Sequence, residues 1–320
     1  MHDSLQWVHE LGRLSNQSGK FKGILAGQAI AERPTKTVKP LCPTKWTVRG
    51  QAVDTVLSQY EAVLTSLEEM ATAGSDSGTR ANGLLDRFQK GKTVLGLLVA
   101  SEVLGELECL NKSLQKQSKT IGGMQAAVEY VSSALQRKRD EEKFKEVFEK
   151  AVSMTESLGI ESIVIPHQRK PPERFTSGAS QHKPKTPEEH YRADFFKVLD
   201  NIDVQLKERL SQPHLQTLKK MENVLLSGEI DDVIGQYPEI HQDSLKIQLP
   251  IFLLLKHTYI SASEAADILR VMPSEVRGLF SEVETLVKLL MVIPVASAKA
   301  ERSFSALKRL KTWLRSTMSQ

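Results

Sequence analysis

The chain has 320 residues and a mass of 35.7 kDa, more than one ordinary core holds, and so predicts two packed units. Hydrophobic residues at 40% and charged residues at 26% exclude a chain disordered throughout, and a net charge of +4 permits nucleic-acid contact without requiring it. No apolar run approaches the ~18 residues of a membrane span, and no membrane partner is expected. The first seven residues lack a basic start and an apolar stretch, so secretion is not expected either. Cys42 and Cys109 form no disulfide framework and no Cys-x-x-Cys site, which fits a reducing compartment.

From Val53 the apolar residues Val56, Leu57, Tyr60, Val63, Leu64, Leu67 and Met70 recur at three- and four-residue steps, which predicts one amphipathic helix. It ends in the turn formers of residues 73–78. A second helical region covers residues 84–117, and its middle has so little polar face that it should be central. A third follows Gly122-Gly123 and ends in the mixed-sign run 137–142, which reads as solvated surface. Phe144, Val147, Phe148 and Ala151 then restore an apolar stripe. Residues 160–165 are β-branched enough for a short strand.

Between Pro166 and Pro187 five prolines stand among Arg169, Lys170, Arg174, Lys183 and Lys185, with Glu173 the single acid. Proline denies a helix its donors and holds the backbone extended, so residues 166–187 read as a basic linker. Its charges serve either as a solvated tether or as a nuclear-localisation or phosphate-tracking element. Beyond it, Phe195, Phe196, Leu199, Ile202, Leu206 and Leu210 trace a helix, and Leu215, Leu218, Met221, Val224 and Leu225 trace the next. Short helices follow over 265–271 and 283–290, and residues 286–295 carry a second strand signal that Pro294 would place at a sheet edge.

Chemistry-bearing motifs are few. The eight histidines show no metal-ligand spacing, and neither a phosphate-cradling loop nor a nucleophile elbow is present. Glu188-Glu189 and Asp231-Asp232 lie at predicted helix starts, where carboxylates favour the dipole. Near the end, Ala300, Phe304, Leu307, Leu310 and Leu314 share one side of a predicted helix, with Arg302, Ser305 and Arg309 opposite. Lys311 interrupts the apolar side and must snorkel, and Ser297 is placed to cap the helix.

Residues 293–315 contain Glu301-Arg302-Ser303-Phe304-Ser305 after Pro294 and small residues, and this resembles the C-terminal dimerisation region of the hAT superfamily of transposases and their host-encoded derivatives. The block Leu41-Cys42-Pro43-Thr44-Lys45-Trp46 is similar to the family's Cys-Pro-Thr-Arg-Trp motif, with lysine in place of arginine. Residues 191–226 resemble the helical stretch between them, and the likeness is closest to relatives that bear zinc finger MYM-type or TTF-type fingers.

The resemblance implies a mainly α chain: a helical insertion-type domain plus an incomplete RNase H-like C-terminal half with few short strands. It implies residues 1–40 as a remnant of the upstream catalytic core, 41–165 as a helical domain, 166–187 as the linker, 188–285 as a helical region and 286–320 as a truncated dimerisation segment. Intact members hold two divalent ions on two Asp and one Glu. Glu301 matches the glutamate, but the acids before Trp46 are Asp3, Glu10 and Glu32, none in an aspartate motif. One carboxylate does not fix two ions, so no cofactor is expected, magnesium entering only with a full acidic triad.

The expected function is thus a non-catalytic remnant acting by dimerisation through Phe304, Leu307, Leu310 and Leu314, with itself or related hAT-derived proteins, in the nucleus or else the cytoplasm. The alternatives are the C-terminal part of an active transposase and a DNA-contacting remnant. In the last, Trp46 stacks on an unpaired base for about 1–3 kcal/mol and Lys45 meets phosphate; the competing role for Trp46 is to fill a seam beside the 53–70 helix. The sequence stops at Gln320, before the apolar helix that usually follows in the family, which is expected to weaken dimerisation.

Overall fold

The computed structural model describes residues 2–27, 49–72, 74–114, 120–166, 186–210, 213–254 and 259–292, and most of these are helical. The mainly α expectation holds for them. Their β pairing is a single isolated parallel bridge between Lys90 and Glu161. By contacts the chain divides into Met1–Cys109 with Ser133–Asp203, and Leu110–Ser132 with Val204–Gln320.

The first unit draws on α1 (His2–Gln17), α2 (Gly19–Gly27), α3 (Arg49–Ser58), α4 (Tyr60–Ala71), α5 (Asp76–Phe88), most of α6 (Gly91–Leu114), the end of α7 (Ile121–Arg137), α8 (Glu141–Ser157) and most of α9 (Pro187–Leu210). The expected 53–70 helix is two helices, broken at Gln59, which leaves helical geometry at φ −129°, ψ 33°. Ser58 and Gln59 close the end of α3 with three-residue bonds to Thr55 and Val56, and both pieces keep their apolar stripes inward. Tyr60 is buried and donates its hydroxyl to the Phe88 carbonyl at 2.7 Å, with the two rings 5.6 Å apart.

Ser75 caps α5 by accepting from the Gly78 amide, and Asp140 caps α8 by accepting from Glu142. Between α5 and α6, Gly91 donates to the Glu161 carbonyl at 2.9 Å, and a Cβ at residue 91 would lie 2.7 Å from that oxygen. The backbones approach closely enough to require glycine. Residues 160–165 therefore make one bridge beside Gly91 instead of a strand. Nor is the run 137–142 merely solvated: Lys138 reaches the Glu102 carbonyl at 2.9 Å and the Glu102 and Glu106 carboxylates, and Arg139 grips Asp200 at 2.7 and 3.2 Å while covering the Phe196 ring.

The second unit takes the start of α7, α10 (Pro213–Ser227), a 3-10 turn (Asp232–Gln236), α11 (Gln242–Leu253), α12 (Ala262–Val271), α13 (Ser274–Gly278) and α14 (Ser281–Val292). Leu218, Met221, Leu225, Leu245, Leu249, Phe252, Tyr259, Leu286 and Val287 join one core, with Phe252 5.3 Å from both Tyr259 and Phe280. Gly228 ends α10 at φ +83°, a left-handed position where a Cβ would also strike Leu253. Residues 286–292 are helical although strand was expected, because Val283, Leu286, Val287 and Leu290 fall on one buried face and that packing outweighs β-branched preference.

Candidate interaction surface

Lys45, Trp46, Glu301, Phe304, Leu307, Leu310 and Leu314 lie outside the described residues. Their described neighbours are the first turn of α3, just after the Trp46 block, and the end of α14, just before the terminal segment. At the first, the Gly50 amide donates to Glu108 Oε1 at 2.6 Å. Glu108 comes from α6, is buried, and lies so close that a Cβ on residue 50 would sit 2.9 Å from its oxygen. A carboxylate at the amino end of a helix satisfies an orphan amide and meets the positive end of the dipole.

The second unit repeats the device. Glu222 of α10 is buried and accepts from the Ile121 amide at 2.6 Å, closing the amino end of α7, with Gly122 as a second amide donor. Gly122-Gly123 thus open a helix. Burial holds the Glu222 carboxyl above the usual range, against the pull of the two amides.

Three polar links fix α11 and α13 to α14. The Glu282 amide donates to Gln248 Oε1 at 2.8 Å, and the His241 amide donates to Glu282 Oε2 at 2.9 Å. Arg277 of α13 bonds Glu284 with two nitrogens, one at 2.9 Å, and Lys288 adds a contact at 2.7 Å. The bonds from Arg277 and Lys288 hold the Glu284 carboxyl down to about 2.

Polar clusters elsewhere serve the fold. Glu188 and Glu189 stand in the first turn of α9, and Asp231 caps the 3-10 turn by accepting from Val233 at 2.9 Å. Asp231, Asp232, Lys220 and Thr217 line an open cleft of about 710 Å³ beside α10. Among the described residues no three His, Cys, Asp or Glu side chains are grouped to hold a metal ion, and no helix is long and apolar enough to cross a membrane.

What stands out is apolar surface. Among the described residues, every large exposed hydrophobic side chain except Val164 belongs to the second unit. The richest element is α11, where Ile247, Ile251 and Leu254 at its end are 69%, 53% and 79% exposed, while Leu245, Leu249 and Phe252 are fully buried. Met291 and Val292, the last residues of α14, are exposed as well.

The chain is 24% identical over 318 residues to the mouse protein called 52 kDa repressor of the inhibitor of the protein kinase. The match takes in 90% of this chain and 40% of the mouse protein. The human protein of that name is 23% identical over 315 residues, taking in 89% of this chain and 39% of its own. The similarity is distant. This chain spans about two-fifths of the length of these curated relatives. No family model matches it, and no solved structure does.

Proposed function

We propose that this chain is a hAT-derived, non-catalytic protein that works by self-association through its C-terminal unit, its terminal segment belonging to an RNase H-like half. The observation that carries the reading is the concentration of open apolar side chains in the unit that ends in that segment. Exposed apolar side chains gathered on one unit are the raw material of an interaction surface. The Glu301–Ser305 block supports the family assignment, and the relatives' name, a repressor of an inhibitor, supports a regulatory role exercised by binding.

Two of the three early acids serve the fold, which favours the non-catalytic reading, while Glu32 lies outside the described residues. Asp3 sits exposed in the first turn of α1, and Glu10 pairs with Arg13 at 3.4 Å, so both serve the helix.

Light scattering at micromolar concentration tests the reading. The chain is expected to run as a dimer, and Phe304→Asp or Leu307→Asp to reduce it to a monomer. A dimer indifferent to both substitutions would refute the assignment to this segment, and magnesium-dependent nicking of hairpin DNA would refute the non-catalytic part.

A further inference from the structure

We propose that the cleft between α10 and the 3-10 turn docks an extended peptide of a partner protein, and that the peptide carries an arginine or lysine received by Asp232. This inference is independent of self-association.

The cleft has two walls of different kinds. Pro213, Gln216, Thr217 and Lys220 recur at three- and four-residue steps, so one face of α10 makes the first. Gly228, at φ +83°, reverses the chain, and residues 229–231 return beside the helix, bringing Asp231 to 3.8 Å from Lys220. Ile230, Asp232 and Gln236 stand on this second wall, with the Ile230 side chain packed against the core of the unit. The volume of about 710 Å³ falls within the roughly 300–1,000 Å³ of ligand sites.

Part of the lining is already used by the fold. Thr217 donates its hydroxyl to the Pro213 carbonyl at 3.2 Å, and Asp231 accepts from the Val233 amide at 2.9 Å. The remainder is open. The side-chain amides of Gln216 and Gln236, the Asp232 carboxylate, and the backbone N–H and C=O of Ile230 have no hydrogen-bond partner among the described residues.

These open groups match an extended chain. The N–H and C=O of one extended residue point to the same side, so Ile230 can exchange both bonds with a single residue of an added strand. Asp231 continues that geometry at φ −97°, ψ 148°. Gln216 and Gln236 supply an amide group on each wall, and each amide both donates and accepts. From Pro213 to Lys220 the helical wall rises about 10 Å, the reach of about three extended residues.

Charge selects the peptide. Lys220 is the single cation among the described lining residues and stands beside Asp231, which leaves Asp232 as an exposed carboxylate without compensation. An arginine or lysine neutralises it, arginine with two parallel bonds. An acidic peptide would instead meet two carboxylates for one cation.

Amide chemical shifts of the isotope-labelled full chain test the site. The probes are two capped pentapeptides, Thr-Val-Arg-Val-Thr and Thr-Val-Asp-Val-Thr, whose β-branched residues favour extension. The arginine peptide is expected to shift the amides of Gln216, Ile230, Asp232 and Gln236, and to bind about tenfold tighter than the aspartate peptide. Asp232→Lys should abolish that preference and Asp232→Glu should keep it, both with unchanged circular dichroism. Methylating the backbone nitrogens of the arginine peptide should weaken it by about tenfold, because the edge bonds are lost.

No binding at millimolar peptide, shifts confined to another surface, or equal binding of the two peptides would overturn the inference. So would an arginine preference that survives Asp232→Lys. Indifference to backbone methylation would overturn the extended mode of docking. None of these outcomes bears on the sedimentation mass, so this inference and self-association stand or fall separately.

Discussion

Glu108 and Glu222 carry much of the organisation in each unit, yet in the sequence each is an ordinary acid in a helical run. Their partners, the amides of Gly50 and Ile121, stand 58 and 101 residues away, a separation that no local pattern encodes. Glu108→Ala leaves a buried amide at the start of α3 unpaired and is expected to cost about 1–3 kcal/mol in urea unfolding.

The pH behaviour of two other acids runs in opposite directions. Glu222 has a raised carboxyl, so the stability it gives is complete below its ordinary value of 4.5 and is lost as pH rises through the raised value. Glu222→Gln can still accept both amides, and its stability relative to the parent should therefore improve between pH 4 and pH 7. Glu284 is lowered to about 2, so its contribution is complete above 4.5 and is lost as pH falls toward 2. Its partners are partly solvated, so Glu284→Gln should cost on the order of 1 kcal/mol at pH 7 and progressively less below pH 4.5.

At the scale of elements, legibility followed how completely packing obeyed one period. α4, α10, α12 and the first half of α14 show their three- and four-residue steps in the bare sequence, and their buried residues are those steps. α14 past residue 286 looked like strand because Val287 and Val292 are β-branched, and tertiary burial of Leu286, Val287 and Leu290 decided otherwise. α11 was not visible. Apolar residues on both of its sides erase the polar face that reveals a period, and Pro250 argues locally against a helix. The break at Gln59 was hidden as well, since no glycine or proline marks it.

The two faces of α11 should respond differently to substitution. Leu249→Ala is expected to cost about 2–5 kcal/mol by thermal or urea unfolding, and Ile247→Ser at most about 0.5 kcal/mol in the monomer. Gly91→Ala tests the tight junction beside Glu161. Alanine favours helix, but here its methyl meets the Glu161 carbonyl and the Ile163 amide at 2.7 and 2.9 Å, so a loss of about 1–3 kcal/mol is expected.

Across the whole molecule, the described helices do structural work with their buried acids and leave apolar surface open on one unit. The family resemblance drew on residues 41–49, 191–226 and 293–315 and implied a mainly α chain, and the period of the apolar residues led to helices independently of it.

The most direct measurement is the sedimentation-equilibrium mass of the parent chain across a dilution series through the micromolar range. The account predicts a mass that rises with concentration from 35.7 kDa toward twice that value. A mass fixed at the monomer value at every concentration would contradict it.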